Sequence, residues 1–149
     1  MKKWIVTILI LALFPISIFA GREKEYGFVV IINPKNPVKS MTKSEVKLTY
    51  LRKINKRWPG INKNIVPVDR KDMPDFKRNF LSDLINMSAQ DMSRYFTERQ
   101  YMNAEMPPIT FGTDEEIVDY VANNIGAIGY ISIGSLTEST RNKVKVVFP

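Results

Sequence analysis

The chain has 149 residues, of which 44% are apolar, enough for one hydrophobic core and one folded domain. It contains no cysteine and no histidine, which excludes disulfides, thiol nucleophiles and the usual soft-metal ligands. The remaining polar side chains form no recognisable catalytic set, so we expect a binding protein that is not an enzyme and needs no cofactor. The formal net charge of +7 favours anionic partners.

Residues 1–20 have the pattern of a secretory signal. Lys2 and Lys3 are followed by an almost wholly apolar stretch, and Ala20 is a small residue suited to cleavage. An uncleaved membrane anchor is the alternative, but the stretch is shorter than the roughly 20 residues of a spanning helix and contains a proline. We therefore expect a periplasmic domain over residues 21–149, with 20 basic and 15 acidic residues and a net charge of +5.

The first half of that domain alternates a strand, a helix and a strand. Residues 28–32, Phe-Val-Val-Ile-Ile, predict a strand buried on both faces. Thr42 and Glu45 form a capping box, which predicts a helix over residues 42–52. Residues 65–68 predict a short strand, and the proline within it is expected near the strand's end or at an edge because it lacks an amide hydrogen.

The second half continues with helices. Apolar residues recur at helical spacing over residues 76–85, after a proline suited to a first turn, and Ser88 begins a second helix. Thr113 and Glu116 form another capping box at the start of a third.

The last segments complete the α/β pattern. Residues 127–133 and 144–148 are strand-like, and the polar segment 134–142 between them predicts a surface loop. Strands and helices that alternate in this way predict an α/β fold with a mixed, mostly parallel sheet flanked by helices.

Three polar residues lie where open α/β sheets usually bind ligands. Asp69, Arg70 and Lys71 stand between the carboxyl end of a strand and the amino terminus of a helix. An anion there would accept hydrogen bonds from helix amides and from the Arg70 guanidinium, so phosphate or another small oxyanion is the expected ligand. The alternative is that Asp72 and Asp75 cap the helix themselves and leave Arg70 solvated.

Two charged segments have simpler interpretations. Residues 40–63 contain seven basic residues and a single acidic one, a pattern compatible with binding to nucleic acid or anionic lipid. A secretion signal argues against nucleic acid, and we expect a solvated basic face. The basic residues are Lys43, Lys47, Arg52, Lys53, Lys56, Arg57 and Lys63. The acidic group Asp114, Glu115, Glu116 and Asp119 complements a helix dipole and lacks the spacing of a calcium loop, so we expect no metal.

Several segments in one order resemble the phosphate-binding proteins of bacterial ABC importers. They are residues 41–46, the basic stretch to Trp58, residues 65–70 and, above all, Gly126-Ala127-Ile128-Gly129-Tyr130. The resemblance covers roughly residues 28–136. It implies a type II periplasmic binding protein-like fold, in which two α/β lobes close over an oxyanion, and this chain is long enough for about one lobe.

The resemblance also implies a site and partners. Arg70 matches the family's ligand-binding arginine, with Lys71 beside it, but Pro74-Asp75-Phe76 stand where the family has Ser-Gly-Thr. The implied partners are phosphate or another small oxyanion, a membrane component of an ABC importer or another envelope protein, and a second copy of the chain in place of the missing lobe. The alternative is an envelope interaction module that has lost the anion site.

The glycines of the motif are expected to serve the fold. Gly126 is predicted to end a helix in the left-handed conformation, and Gly129 is predicted to allow close packing beside a strand.

Overall fold

A computed structural model describes residues 25–149, so the predicted signal segment lies outside the described residues. The elements in chain order are β1 (Phe28–Ile32), α1 (Lys43–Tyr50), β2 (Val66–Arg70), α2 (Asp75–Asn79), a π-helical segment (Phe80–Ile85), α3 (Ala89–Asn103), β3 (Ile109–Phe111), α4 (Asp114–Asn123), β4 (Ala127–Ser132), a 3-10 segment (Ile133–Ser135), α5 (Glu138–Lys143) and β5 (Lys145–Phe148). Within residues 25–149, no helix combines the length and the apolar character that crossing a bilayer requires.

The five strands form one mixed sheet in the order β3-β2-β4-β1-β5. Strand β2 runs parallel to β3 and β4, whereas β1 runs antiparallel to β4 and β5. The predicted α/β fold with a mixed sheet flanked by helices is confirmed, but the sheet is not mostly parallel as predicted, because two of its four pairings are parallel and two are antiparallel. The carboxyl ends of β2, β3 and β4 meet at one edge, which we call the carboxyl edge.

Apolar side chains cover both faces of the sheet. Strand β1 is fully buried and alternates between them: Phe28, Val30 and Ile32 join one cluster with α1 and the π-helical segment, and Val29 and Ile31 join the other with α4. Among the described residues, the buried members of the two clusters run from residue 28 to residue 148. This part of the chain therefore has apolar packing on both faces of the sheet.

The helix starts follow their predicted capping signals. Helix α1 begins after Thr42, whose hydroxyl accepts from the Glu45 amide (3.2 Å) while the Glu45 carboxylate accepts from the Thr42 amide (2.7 Å). The same reciprocal pair, Thr113 and Glu116, opens α4, and the Ser88 hydroxyl caps α3. The predicted helix over residues 76–85 is present, but its second half is π-helical.

Two predictions about loops and strands need correction. The expected surface loop over residues 134–142 instead contains a 3-10 segment and α5, whose six residues bury no side chain and so show no apolar periodicity. Strand β3 was not predicted, because it has three residues and follows two prolines. Pro67 is accommodated as expected: at its level β2 pairs with β4 alone, since pairing with β3 begins at Val68.

Gly126 is required for a different reason from the predicted one. The positive-φ glycines among the described residues are Gly27 and Gly60, so the prediction of a left-handed Gly126 is wrong. A Cβ atom at Gly126 would lie 2.3 Å from the backbone oxygen of Asn64. Gly129 does serve close packing, because a Cβ atom there would lie 2.7 Å from a methyl carbon of Ile117 on α4.

Candidate functional site

Five charged side chains gather at the carboxyl edge, and we call them the edge cluster: Asp69, Arg70, Asp72, Lys77 and Asp114. Asp69 and Arg70 end strand β2. Asp72 lies in the loop that follows, Lys77 lies on α2, and Asp114 is the first residue of α4. Fold topology therefore brings together residues up to 45 positions apart in the chain. Three carboxylates face two cations, a formal charge of −1.

Arg70 lies at the centre of the edge cluster and is already paired. Its Nε and Nη2 atoms donate to the two carboxylate oxygens of Asp72, each at 2.9 Å, and its Nη1 donates to Asp114 at 2.7 Å. The side chain is only 11% exposed and packs 5.7 Å from the centre of the Phe76 ring. The expectation of a solvated Arg70 is therefore wrong. Asp72 binds the guanidinium, Asp75 pairs with Arg78, and α2 has no side-chain cap.

Asp114 occupies a set of donors of the kind that proteins use to bind oxyanions. One carboxylate oxygen accepts from Arg70, and the other accepts from the Ser132 amide (3.0 Å) and the Ser135 hydroxyl (2.7 Å). The side chain is 7% exposed. A guanidinium, an amide and a hydroxyl thus converge on one buried anion that the chain itself provides. The prediction that Asp114 merely complements the helix dipole missed this role.

Asp69 supports the edge cluster from within the fold. It accepts hydrogen bonds from the Tyr130 hydroxyl and, at 3.0 Å, from the Lys77 ammonium, which also donates to the backbone oxygen of Arg70. Lys77 is buried. Lys71, by contrast, is exposed, and its backbone amide ties β2 to β3 by donating to Phe111 (2.8 Å). Of the three predicted site residues, Arg70 is central, Asp69 is a support and Lys71 is peripheral.

Electrostatics keep the central ion pairs charged. Burial alone would lower the pKa of Arg70, but the hydrogen bonds that it donates to Asp72 and Asp114, with their negative charges, outweigh burial and raise that pKa. The hydrogen bond from Arg70 holds the pKa of Asp72 below its ordinary value. At neutral pH, Arg70 is therefore a guanidinium whose charge is already neutralised within the chain.

The other acidic residues of α4 also have roles within the chain. Glu116 caps the helix and Asp119 pairs with Lys143 at 3.1 Å. Within residues 25–149, no group of three or more histidine, cysteine or acidic residues is placed to hold a metal ion.

Two buried tyrosines beneath the edge cluster make stability sensitive to alkaline pH. Burial raises the pKa of Tyr50 and of Tyr130 well above the ordinary value, and the nearby charge of Asp69 raises both further. The folded pKa values thus exceed the unfolded value of about 10. The folded chain therefore retains protons that the unfolded chain releases above about pH 10, and alkaline pH favours unfolding.

Below about pH 9 we expect ionisation of these two tyrosines to leave the free energy of unfolding unchanged. Above about pH 10 we expect that free energy to fall, by up to about 1.4 kcal/mol per pH unit for each of the two tyrosines. Urea denaturation between about pH 9 and about pH 11 measures this slope. The change Tyr50→Phe should remove about half of the slope, because Tyr130 still titrates. Equal slopes for the two proteins would contradict the assignment.

The sequence alone offered little signal for most of these contacts. Asp114 and Glu115 are neighbouring acids in one first helical turn, yet only Asp114 is buried. Ser132 and Ser135 lie in a segment predicted to end a strand and begin a loop. The converging geometry depends on the parallel pairing of β2 with β4, which places the ends of distant segments side by side.

Comparison with solved structures identifies the fold. An ABC-type phosphate transport receptor from Vibrio cholerae is 22% identical, with a TM-score of 0.58 over 81% of this chain and 45% of that one. A phosphate ABC transporter substrate-binding protein with bound phosphate, from Clostridium perfringens, is 25% identical, with a TM-score of 0.61 over 81% of this chain and 44% of that one. PstS from Borrelia burgdorferi is 15% identical, with a TM-score of 0.60 over 82% of this chain and 46% of that one.

No protein-family model matches the sequence, and no curated protein matches it either. The chain spans less than half the length of each of the solved structures named above. The predicted resemblance is therefore confirmed at the level of fold: the chain has the α/β architecture of one lobe of phosphate ABC transporter substrate-binding proteins.

Proposed function

We propose that this chain is an exported, non-enzymatic module of the cell envelope that binds another envelope protein and does not take up phosphate at Arg70. One observation carries the proposal: the carboxylate of Asp114 already occupies the donors of Arg70, Ser132 and Ser135. The proposed export rests on the signal-like pattern of residues 1–20.

Phosphate would meet three obstacles at this position. It would have to displace a buried carboxylate from charge-assisted hydrogen bonds, and the remaining negative charge of the edge cluster would repel it. Pro74 has no amide to donate, and Asp75 adds a further carboxylate at the start of α2.

The surface around the edge cluster suits contact with a protein. Met73, in the loop after β2, is 38% exposed, and Ile133, at the start of the 3-10 segment after β4, is 47% exposed, so both lie at the carboxyl edge. Exposed methionine and other apolar side chains are typical of the central part of protein interfaces. The proposed partners are a membrane component of an ABC importer, another envelope protein or a second copy of this chain.

A phosphate receptor is the second candidate function. The Clostridium perfringens structure, which contains bound phosphate, is 25% identical to this chain. Asp72 is 60% exposed, so its side chain has room to rotate away from Arg70. In this candidate, Arg70 binds the oxyanion, Lys71 assists, and a second copy of the chain closes over the ligand in place of the missing lobe.

Thermal melts of residues 21–149 in titrations of phosphate and of sulfate, at matched ionic strength, distinguish the two functions. The interaction module predicts no saturable, phosphate-specific rise in the melting temperature. A receptor at about 100 times its dissociation constant would gain about 2.7 kcal/mol, a shift of several degrees. A phosphate-specific shift that disappears in Arg70→Ala, with the variant still melting cooperatively, would overturn our proposal in favour of the receptor.

A further inference from the structure

The loop after α1 packs against the middle of α3 and against Glu105, two residues beyond that helix. The Tyr95 hydroxyl donates to the backbone oxygen of Leu51 (2.6 Å), and the Lys53 ammonium lies 5.6 Å from the centre of the Tyr95 ring. Lys56 approaches Glu105 at 3.7 Å. These contacts fix the position of the loop before β2, residues 51–65, which we call the basic loop, relative to α3 and Glu105.

Positive charge dominates the solvent side of this junction. Residues 52–63 contain five cations and no carboxylate. Glu105, the acid that Lys56 approaches, is buried, and its carboxylate accepts a hydrogen bond from Arg99 Nε at 2.6 Å. Lys56 is 78% exposed, and Lys53 and Arg57 are also exposed. The cations are therefore available to an external anionic surface.

Exposed apolar side chains lie beside these cations. Of the six large apolar side chains exposed among the described residues, four fall in residues 101–109. Met102 is 76% exposed and lies seven residues after Tyr95, about two helical turns, so it shares the helix face that Lys53 covers. Met106 is 57% exposed and lines one cavity together with Lys56. We call Lys53, Lys56, Met102 and Met106 the basic corner.

We propose that the basic corner docks onto the surface of an anionic phospholipid bilayer. The lysines meet the negative headgroups, and the two flexible methionine side chains enter the boundary between headgroups and acyl chains. Each lysine near such a surface is expected to raise the partition coefficient about fivefold at low salt. Exposed cations beside exposed apolar side chains favour a bilayer, because an interfacial helix likewise presents lysines to the headgroups and apolar side chains to the acyl chains.

This inference does not depend on the proposed protein-binding function. Strand β2 has five residues and rises about 3.3 Å per residue, so roughly 15 Å separates the basic loop that precedes it from the edge cluster that follows it. A bilayer at the basic corner thus leaves the carboxyl edge free for a protein partner.

Vesicle sedimentation of residues 21–149 tests the proposal, since these residues contain both apolar clusters of the described structure and lack the apolar segment 4–19, which would itself bind lipid. We expect binding to vesicles of equimolar phosphatidylglycerol and phosphatidylcholine at low salt. Binding to phosphatidylcholine alone should be at least about tenfold weaker, and high salt should reduce binding to the mixed vesicles.

Variants assign the binding to the basic corner. Lys53→Glu with Lys56→Glu should lower the partition coefficient at least about tenfold. The control, Arg141→Glu with Lys143→Glu, makes the same charge change on α5. This helix packs with α4, on the opposite face of the sheet from the basic corner, so the control should lower the partition coefficient less than about threefold. Met102→Ser with Met106→Ser should weaken binding without changing its salt dependence.

Two results would overturn the proposal. Equal losses in the corner and control variants would show that net charge alone attracts the chain to lipid. An absence of binding to the mixed vesicles, with a cooperative melt confirming a folded sample, would exclude a bilayer and point to an acidic protein at this corner.

Discussion

Replacing Asp114 by alanine is expected to lower the free energy of unfolding by about 3–5 kcal/mol, the cost of removing one partner from a buried ion pair. The change leaves the Arg70 guanidinium, 11% exposed, with Asp72 alone, and it leaves the Ser135 hydroxyl and the Ser132 amide without their acceptor. Urea denaturation of residues 21–149 measures the loss directly.

The matched control is Glu115→Ala, which removes the neighbouring acid from the same first turn of α4. Glu115 is exposed, so only its favourable interaction with the helix dipole is lost, about 0.3–1 kcal/mol. A loss for Asp114→Ala no larger than that of Glu115→Ala would show that the buried contacts of Asp114 contribute nothing beyond the helix dipole.

Replacing Gly126 by alanine is expected to cost at least about 3 kcal/mol, the upper end of the usual penalty for overpacking. The new Cβ atom would lie 2.3 Å from the backbone oxygen of Asn64, and a backbone atom cannot move aside as a side chain can. Relief would require the start of β4 to separate from the segment before β2. That movement would strain the hydrogen bonds from the Val66 amide and the Trp58 indole to the Gly126 oxygen, both 2.9 Å.

Gly134→Ala is the control for this change. A Cβ atom at Gly134 would make an ordinary contact, 3.6 Å from the Ser132 hydroxyl, so the expected effect lies within about 0.5 kcal/mol. Thermal melts of both variants compare them under one set of conditions. Equal melting temperatures for the two variants would mean that the backbone near Asn64 relaxes freely.

The sequence predicted the elements whose signals are local. The run at residues 28–32 and the capping boxes at Thr42 and Thr113 each determine an element from adjacent residues, and the structure has all three. Strand β3 and helix α5 were missed because neither carries such a signal. Two of the three β3 residues are exposed, and α5 buries no side chain. Both elements depend on tertiary contacts, which a local pattern does not contain.

The candidate site was predicted only in outline. The rule that ligands meet the carboxyl ends of strands pointed to Arg70, and Arg70 is indeed central to the edge cluster. The rule says nothing about Asp114, which is 44 residues away in sequence and reaches Arg70 only because β2, β3 and β4 are adjacent and parallel. The same parallel pairing brings the Ser132 amide to the other oxygen of Asp114. The sequence alone does not show which of the two neighbouring acids, Asp114 or the exposed Glu115, is buried.

The proposed function accounts for a fold shared with phosphate receptors in a chain that does not take up phosphate at Arg70. A buried guanidinium needs an anion, and Asp114 provides one from within the chain. Under this proposal the fold does not depend on an external ligand to neutralise Arg70, and the surface with Met73 and Ile133 exposed binds a protein partner.

Calorimetric titration of phosphate into the wild-type domain and into Asp114→Ala tests directly whether Asp114 takes the place of an oxyanion. We expect no saturable heat from the wild type at millimolar phosphate. We expect measurable binding by the variant, because Arg70, Ser132 and Ser135 regain free donors. Saturable binding by the wild type that Asp114→Ala abolishes, in a variant that still melts cooperatively, would contradict the account and make Asp114 part of a working phosphate site.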